Sequence, residues 1–92
     1  MTITTQAREL ALLFRETGHA HHRAFLATNG DDPDWPRWYA EYLAPRLEPL
    51  LGIRVPVDQL ARLLMLAEDA RQSRTPMPEW PEFYAEYFLA RM

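Results

Sequence analysis

The sequence predicts an all-α domain, a four-helix array built from two helix-turn-helix repeats related by approximate two-fold symmetry. Three observations lead to this fold class. Apolar residues recur at spacings of three and four along several segments, one Pro-rich aromatic phrase occurs twice, and 92 residues suffice for one hydrophobic core but not for two. We therefore expect a single helical domain over residues 1–92, with repeat one at about 4–51 and repeat two at about 55–92.

The repeated phrase emerges when the chain is compared with itself at an offset of 45 residues. Residues 33–47, PDWPRWYAEYLAPRL, then align with residues 78–92, PEWPEFYAEYFLARM, and eight of the fifteen pairs are identical. An internal repeat explains this agreement better than chance, because tryptophan, proline and tyrosine all recur in register. Two units are fewer than a solenoid needs to bury its faces, so the units are expected to pack on each other.

The first helix is predicted from Thr4 to Ala27, because one face of this segment is apolar. The residues of that stripe are Ala7, Leu10, Leu13, Phe14, Thr17, His21, Ala24 and Phe25. The pair Asn29-Gly30 follows the stripe and is a natural C-terminal cap, since both residue types tolerate left-handed backbone.

The second helix is predicted to begin at the first Trp-Pro pair. Pro36 suits the first helical turn, where a missing N–H leaves no intrahelical bond unmade. Trp35 before it is biased away from helical geometry and is expected at a chain reversal. The helix should reach about Leu51 and be ended or kinked by Pro45 and Pro49.

A link over residues 52–56 leads to the second repeat. The third helix is predicted from Val57 to Gln72, and its apolar stripe consists of Leu60, Leu63, Leu64, Ala67 and Ala70. Trp80 and Pro81 then repeat the turn of the first unit, and the fourth helix is expected to end near Arg91.

Composition narrows the possible partners. The formal net charge is −3 and no run of arginines forms a basic stripe, so we expect no nucleic acid partner. No apolar stretch approaches the roughly 20 residues that cross a bilayer, and the first residues lack a basic signal-peptide region. The expected location is therefore cytoplasmic, without a membrane partner. Because cysteine is absent, disulfides and thiolate chemistry are excluded.

The histidines of the first helix are the main candidates for chemistry. On a helical wheel His21 lies near the middle of the apolar stripe, His22 at its edge beside Gly18, and His19 on the solvated face. A histidine in apolar surroundings can serve as a base, an acid or a hydrogen-bond donor. The alternative is a structural role, in which His21 hydrogen-bonds a tyrosine or a backbone carbonyl.

Two groups of residues have the types of metal ligands without completing a site. Glu16 and His19 have the i, i+3 spacing of di-metal bundle proteins, but the pair faces water and the second repeat offers no matching carboxylates. Asp31, Asp32 and Asp34 lack the ligand spacing of a calcium loop. Asp32 is therefore interpreted as a helix cap or turn residue, and we predict neither a metal nor a cofactor.

The repeated aromatic phrase allows a structural and a functional interpretation. As structure, its side chains would supply most of the large core surface, because both copies would then serve the same packing role. As function, they could line an aromatic pocket or a partner groove, with Glu41 and Glu86 as anchors. The side chains in question are Trp35, Trp38, Tyr39, Tyr42, Trp80, Phe83, Tyr84 and Tyr87.

The stretch from His21 to Leu43, HHRAFLATNGDDPDWPRWYAEYL, resembles a phrase of small uncharacterised bacterial helical proteins. The resemblance covers about a quarter of the chain and implies no activity. The motif positions that it implies are His22, Phe25, Gly30, Asp32, Trp35, Pro36, Trp38, Tyr39 and Tyr42. At the offset of 45, residues 66–67 replace His21 and His22. A function residing in this motif should therefore use residues that only the first repeat has: His21, His22, Asp31 and Asp32.

The leading functional hypothesis is a non-enzymatic helical module that binds a protein partner or a second copy of itself. It follows from the small size, the duplication, the many aromatic residues and the lack of a catalytic constellation. Ser73 is the only serine and no Gly-rich phosphate loop is present, so we assign no catalytic residues.

The competing hypothesis is a small-ligand site or a simple acid-base enzyme, located between the first helix and the first aromatic turn. Its candidate residues are His21, His22, Asp32, Trp35, Trp38, Tyr39 and Tyr42. A concave pocket bordered by these residues would favour this hypothesis, and a filled core at that place would argue against it.

Overall fold

A computed structural model describes residues 4–91, and its helices form a four-helix bundle. Each helix packs on two neighbours, α1 on α2 and α4, and α3 on α2 and α4. The helices are α1 (Thr5–Ala24), α2 (Trp35–Leu51), α3 (Val57–Gln72) and α4 (Trp80–Arg91), and a 3-10 helix spans Leu26–Thr28. The predicted all-α four-helix fold is confirmed, while two-fold symmetry between the halves stays a prediction.

Helix α1 starts at a side-chain cap and ends earlier than predicted. The hydroxyl of Thr4 accepts a hydrogen bond from the N–H of Ala7 at 3.0 Å, which satisfies one of the orphan donors of the first turn. The helix ends at Ala24, and the segment predicted as its last turn is a 3-10 helix. Asn29 follows with φ of 57°, so the left-handed turn caps the 3-10 segment rather than the α-helix.

Helix α2 contains both of the prolines that were expected to end or kink it. Pro45 and Pro49 lie inside the helix, and both are exposed. On the outer face of a bundle, water can bond the carbonyls that these prolines leave without an N–H partner. The helix ends at Gly52, whose φ of 75° and N–H bond to the Glu48 carbonyl at 2.8 Å form a left-handed cap.

The second half has the helices that its sequence predicted. The bounds Val57–Gln72 of α3 are those expected, and α4 ends at Arg91. Trp35 and Trp80, expected just outside their helices, are instead the first residues of α2 and α4. A shift of one residue at a helix end is small, and both tryptophans still lie where the chain reverses.

The core is mostly aliphatic, which corrects the prediction that the repeated aromatic residues fill it. Of the eight repeated aromatic side chains, only Tyr84 is buried, and the other seven are half-buried. They lie on α2 and α4, mostly in the early turns at one end of the bundle, where neighbouring helices cover only part of each ring. The largest fully buried apolar side chains, from all four helices, are Phe14, Phe88, Leu10, Leu43, Leu47, Leu60, Leu64 and Pro81.

Helices α1 and α3 bury their residues in the same order. Residues 11–20 and 61–70 show an identical succession of buried, half-buried and exposed positions, which pairs Gly18 with Glu68 at an offset of 50. The aromatic phrases keep the offset of 45, so Trp35 still corresponds to Trp80. The two offsets differ because the connection between the helices is longer in the first half.

The offset of 50 corrects the earlier pairing of the histidines. Sequence comparison at an offset of 45 paired His21 and His22 with residues 66–67. The offset of 50 pairs them instead with Arg71 and Gln72, two polar residues, although His21 is buried and Arg71 is half-buried. Both halves therefore carry polar side chains at the end of their first helix.

No helix that the structure describes between residues 4 and 91 has the combination of length and hydropathy that crossing a membrane requires.

Candidate functional site

His21 is buried and paired with Asp32. Its Nε2 lies 3.0 Å from Oδ2 of Asp32, and the two side chains are only 7% and 10% exposed. The other carboxylate oxygen accepts a bond from the N–H of Asp34 at 3.0 Å, which forms a turn before α2. Asp32 is thus the turn residue that the sequence suggested, and it is also the partner of His21 in place of a tyrosine or a carbonyl.

Aromatic rings surround His21. Phe25 stacks on the imidazole with ring centroids 4.7 Å apart, and Trp38 and Tyr39 meet it at 5.1 Å each. A buried polar ring is tolerated when it is hydrogen-bonded, and Asp32 provides the hydrogen bond to the His21 imidazole. The centre of the site predicted from sequence is therefore filled by packed side chains, with little room for a substrate to reach His21.

The corresponding end of α3 carries a second polar cluster, centred on Glu68. Arg71 donates two parallel hydrogen bonds of 2.8 Å, one to each carboxylate oxygen. Gln72 and Tyr84 donate one each at 2.7 Å. The Arg71 bonds, supported by those of Tyr84 and Gln72, outweigh burial and lower the pKa of Glu68 to about 2. Glu68 is therefore a fixed carboxylate that accepts four side-chain hydrogen bonds.

Tyr39 and Tyr84 align when the two aromatic phrases are compared, but they differ in hydrogen bonding. The hydroxyl of Tyr84 donates to Glu68, whereas the hydroxyl of Tyr39 bonds no protein group within the part of the chain that the structure describes. Burial, and secondly the charge of Glu68, raise the pKa of Tyr39 above its usual value. Its hydroxyl therefore keeps its proton near neutral pH and can donate a hydrogen bond.

A cleft of about 360 Å³ opens in front of Tyr39, and we call it the Gly18 cleft. It lies between the last turns of α1 and the start of α4. A Cβ atom at position 18 would lie 2.8 Å from the Trp80 ring and 3.6 Å from the Tyr39 hydroxyl, so glycine allows the close approach of both rings. The lining residues are Arg15, Gly18, His19, His22, Tyr39, Glu79, Trp80 and Pro81.

His22 is held at the edge of this cleft by the loop after α1. A Cβ atom at position 30 would lie 2.8 Å from Nδ1 of His22, and Gly30 has φ of +85°. Only glycine combines this backbone with the close approach of the imidazole. The exposed His22 thus borders the Gly18 cleft, while the buried His21 does not.

A second cleft, of about 270 Å³, adjoins the other face of Tyr39. It shares Tyr39 and Trp80 with the Gly18 cleft and adds Trp35 and the Glu68 cluster. Tyr39 touches all three tryptophan rings, with centroid distances of 5.2, 6.3 and 6.2 Å to Trp35, Trp38 and Trp80. This aromatic contact fixes the wall that separates the two clefts.

Six of the seven residues predicted from sequence fall into three groups. His21, Asp32 and Trp38 form a packed cluster with one face of Tyr39, while His22 and the Tyr39 hydroxyl border the Gly18 cleft, and Trp35 borders the second cleft. The seventh, Tyr42, stacks on Trp38 and donates to Glu16 at 3.1 Å.

Sequence reasoning named Trp80 only among the repeated aromatic residues that could line a pocket, and it missed the Glu68 cluster as a whole. Both belong to the second half, whereas the candidate site was placed on residues of the first half. The available signal was the pair Glu68 and Arg71 at i, i+3 spacing, just before the second Trp-Pro phrase.

Within residues 4–91, no three side chains of His, Asp or Glu come together in an arrangement that could hold a metal ion. No protein-family model, no curated protein and no solved structure matches this chain.

Proposed function

We propose that this protein is a non-enzymatic helical binding module that holds a small ligand in the Gly18 cleft. The observation that carries the proposal is Tyr39, which lines the cleft and whose hydroxyl lies 3.6 Å from the Cβ position of Gly18 with no protein partner in the described chain. A polar group of this kind gives a binding cleft its orientation and specificity. This proposal takes the two halves as copies of one duplicated unit that have diverged at this position.

Binding is favoured over catalysis by the state of His21. The pair of His21 and Asp32 is the arrangement best suited to acid-base chemistry, but both side chains are at least 90% buried. A catalytic base must come within hydrogen-bond reach of its substrate. The rings of Phe25 and Trp38 occupy that space, so the pair is better explained as a support for the cleft wall.

The walls of the cleft are held in place before any ligand arrives. Tyr39 contacts Trp80 on one side and His21 on another. The Trp80 ring in turn packs on Phe14 in the core, with the ring centroids 6.4 Å apart. A preformed cleft loses less conformational entropy when a ligand binds, which favours affinity for a small ligand.

The proposal is tested by screening a fragment library against the ¹⁵N-labelled protein by NMR. Compounds that bind should shift the Gly18 amide and the Trp80 indole N–H together. The amide of Gly52, at the opposite end of α2, is the internal control and should stay unchanged. A screen in which no compound shifts the Gly18 and Trp80 resonances would contradict the proposal.

A second candidate function is binding of a protein partner or of a second copy of this chain. The observation that favours it is an exposed apolar face on α3, where Met65 and Leu66 are 56% and 46% exposed. Leu63 and Leu66 also border a shallow cleft on this outer face. Neighbouring exposed apolar side chains are typical of interaction surfaces.

Sedimentation velocity over a range of protein concentrations tests self-association. If α3 mediates it, the sedimentation coefficient should rise with concentration, and Leu66→Glu should abolish the rise. Leu26→Glu is the matched control, because Leu26 is also exposed but lies in the 3-10 helix. Monomers at all concentrations, and equal behaviour of the two variants, would exclude self-association through this face.

A further inference from the structure

Both halves carry hydrogen-bond donors at corresponding positions, but only the second half has a carboxylate at the position that corresponds to Gly18. In the second half Glu68 receives bonds from Arg71, Gln72 and Tyr84. The corresponding positions of the first half are Gly18, His21, His22 and Tyr39. Position 18 therefore lacks a carboxylate, while the position that corresponds to Tyr84 keeps its hydroxyl.

From this difference we propose that the ligand of the Gly18 cleft is a monocarboxylate whose carboxylate accepts the hydrogen bond of Tyr39, as Glu68 accepts that of Tyr84. The inference rests on the proposed function and names the chemical class of its ligand. His22, which corresponds to the donor Gln72, supplies a second N–H at the cleft edge.

The charged residues Arg15 and Glu79 line the cleft and leave a place for one ligand carboxylate, while Glu68, whose charge acts on Tyr39, lines the second cleft. Arg15 is the cation on the α1 side of the cleft, and its guanidinium also binds the carboxylate of Glu82 at 3.1 Å. His19 and His22 line the same side and offer ring N–H donors. Glu79 lines the opposite side, where it repels a second negative group. Dicarboxylates are thereby disfavoured relative to monocarboxylates.

The remainder of the ligand is apolar. Trp80 and Pro81 form the wall of the cleft on the α4 side, and the backbone of Gly18 allows the Trp80 ring to approach α1. An aromatic or aliphatic group next to the carboxylate would pack on this wall, because aromatic rings bury large apolar area. A small arylacetate has both parts.

The experiment compares three probes of similar shape by NMR titration at neutral pH: phenylacetate, phenylacetamide and 2-phenylethylamine. Phenylacetate should shift the Gly18 amide and the Trp80 indole N–H in a saturable way. Phenylacetamide and 2-phenylethylamine should bind at least about tenfold more weakly than phenylacetate, because a hydrogen bond to a charged acceptor is stronger than one to a neutral group.

Two variants locate the interaction. Tyr39→Phe removes only the hydroxyl and should weaken phenylacetate binding by about tenfold or more. Tyr87→Phe removes a hydroxyl from α4 outside the cleft and should bind phenylacetate as the wild-type protein does. The wild-type amide pattern of each variant, recorded first, shows that the fold is retained.

The outcomes separate the two proposals. If all three probes bind at the cleft equally, or if Tyr39→Phe leaves phenylacetate binding unchanged, the carboxylate inference is overturned and the ligand site stands. If the library finds cleft ligands but phenylacetate does not compete with them, the carboxylate inference again fails alone. If neither the probes nor any library compound shifts these resonances, both proposals fail.

Discussion

At the residue scale, the two halves differ most at positions 18 and 68. Glycine at position 18 leaves the Tyr39 hydroxyl without a protein acceptor, while Glu68 gathers the donors of its own half. The C-terminal part of α1 therefore borders a cleft, whereas that of α3 carries a hydrogen-bonded polar cluster. Residues 11–20 and 61–70 share one burial pattern, and the side chains at positions 18 and 68 differ within it.

Replacing Asp32 tests the pair that supports the cleft wall. Asp32→Ala should lower the free energy of unfolding by about 1–3 kcal/mol, because it leaves a buried imidazole N–H unbonded. Asp31→Ala is the control, since Asp31 is exposed, and it should change stability by less than about 0.5 kcal/mol. Urea unfolding followed by circular dichroism measures both, and equal values for the two variants would contradict the role of Asp32.

The matching tyrosines should respond differently to loss of the hydroxyl. Tyr84→Phe removes a bond to a carboxylate and should destabilise the protein by about 1–3 kcal/mol. Tyr39→Phe removes no protein bond within the described chain and should change stability by less than about 0.5 kcal/mol. Chemical denaturation of the two variants side by side provides the measurement, and an equal loss would show that the Tyr39 hydroxyl is engaged.

Glu68 should contribute a specific part of the acid sensitivity. Its pKa is about 2 when folded, against about 4.3 for an unfolded glutamate, so its ionic form stabilises the fold above pH 5. That contribution is lost as the pH falls from about 5 to 2. Glu68→Gln should therefore show a shallower fall of stability over this range than the wild-type protein.

The control for this titration is Glu86→Gln, because Glu86 is exposed on α4. This variant should keep the wild-type slope of unfolding free energy against pH. If Glu68→Gln and wild type lose stability in parallel between pH 5 and 2, the hydrogen bonds of Glu68 do not hold its pKa low.

At the scale of elements, α1 and α4 meet through a glycine and a tryptophan. In most exposed helices, Gly→Ala stabilises by roughly 0.5–1 kcal/mol. Here the added Cβ would lie 2.8 Å from the Trp80 ring, which must then move against Tyr39 and Phe14. The local helix preference and the packing between helices therefore have opposite effects on stability at this position.

We expect the packing to prevail, so that Gly18→Ala destabilises the protein by about 1–3 kcal/mol in spite of the better helix former. In the Trp80→Phe background the atoms that clash are gone, and the same Gly18→Ala change should become neutral or stabilising. A double-mutant cycle of thermal unfolding measures the coupling. Additive effects would show that the two residues do not touch.

The helices were predictable to different degrees. Regular apolar spacing with a clear start fixed α3 at Val57–Gln72. The C-terminus of α1 was predicted too late, because the apolar Phe25 continues the stripe although its N–H already closes the helix on the His21 and His22 carbonyls. The pairing of His21 with Asp32 could not be predicted from the sequence, because it depends on how the loop before α2 packs against α1.

At the scale of the whole molecule, the two halves stabilise each other. Helix α1 packs on α4 and α2 on α3, so each half places its apolar side chains against the other. The array of four helices could be inferred from the repeat, because one helical hairpin cannot bury its core face alone. The position of the Gly18 cleft could not be inferred from the sequence, because it depends on the contact between Trp80 of one half and Gly18 of the other.

Separate halves should therefore not fold. Residues 1–51 and residues 52–92, prepared as two peptides, should each show weak helical circular dichroism, because each exposes half of the core. Mixing them at equal concentration should restore helical signal, and the gain should increase with concentration. If residues 1–51 alone give a cooperative thermal transition, the first half has a sufficient core of its own.

The three tryptophans all touch Tyr39, so every indole of the chain lies at one end of the bundle. Intrinsic fluorescence consequently reports on this end, whereas far-ultraviolet dichroism reports on all four helices. During heating, an emission change that precedes the loss of dichroism would mark local opening of the clefts. The protein thus carries an optical probe beside the proposed ligand, and binding can be followed without a label.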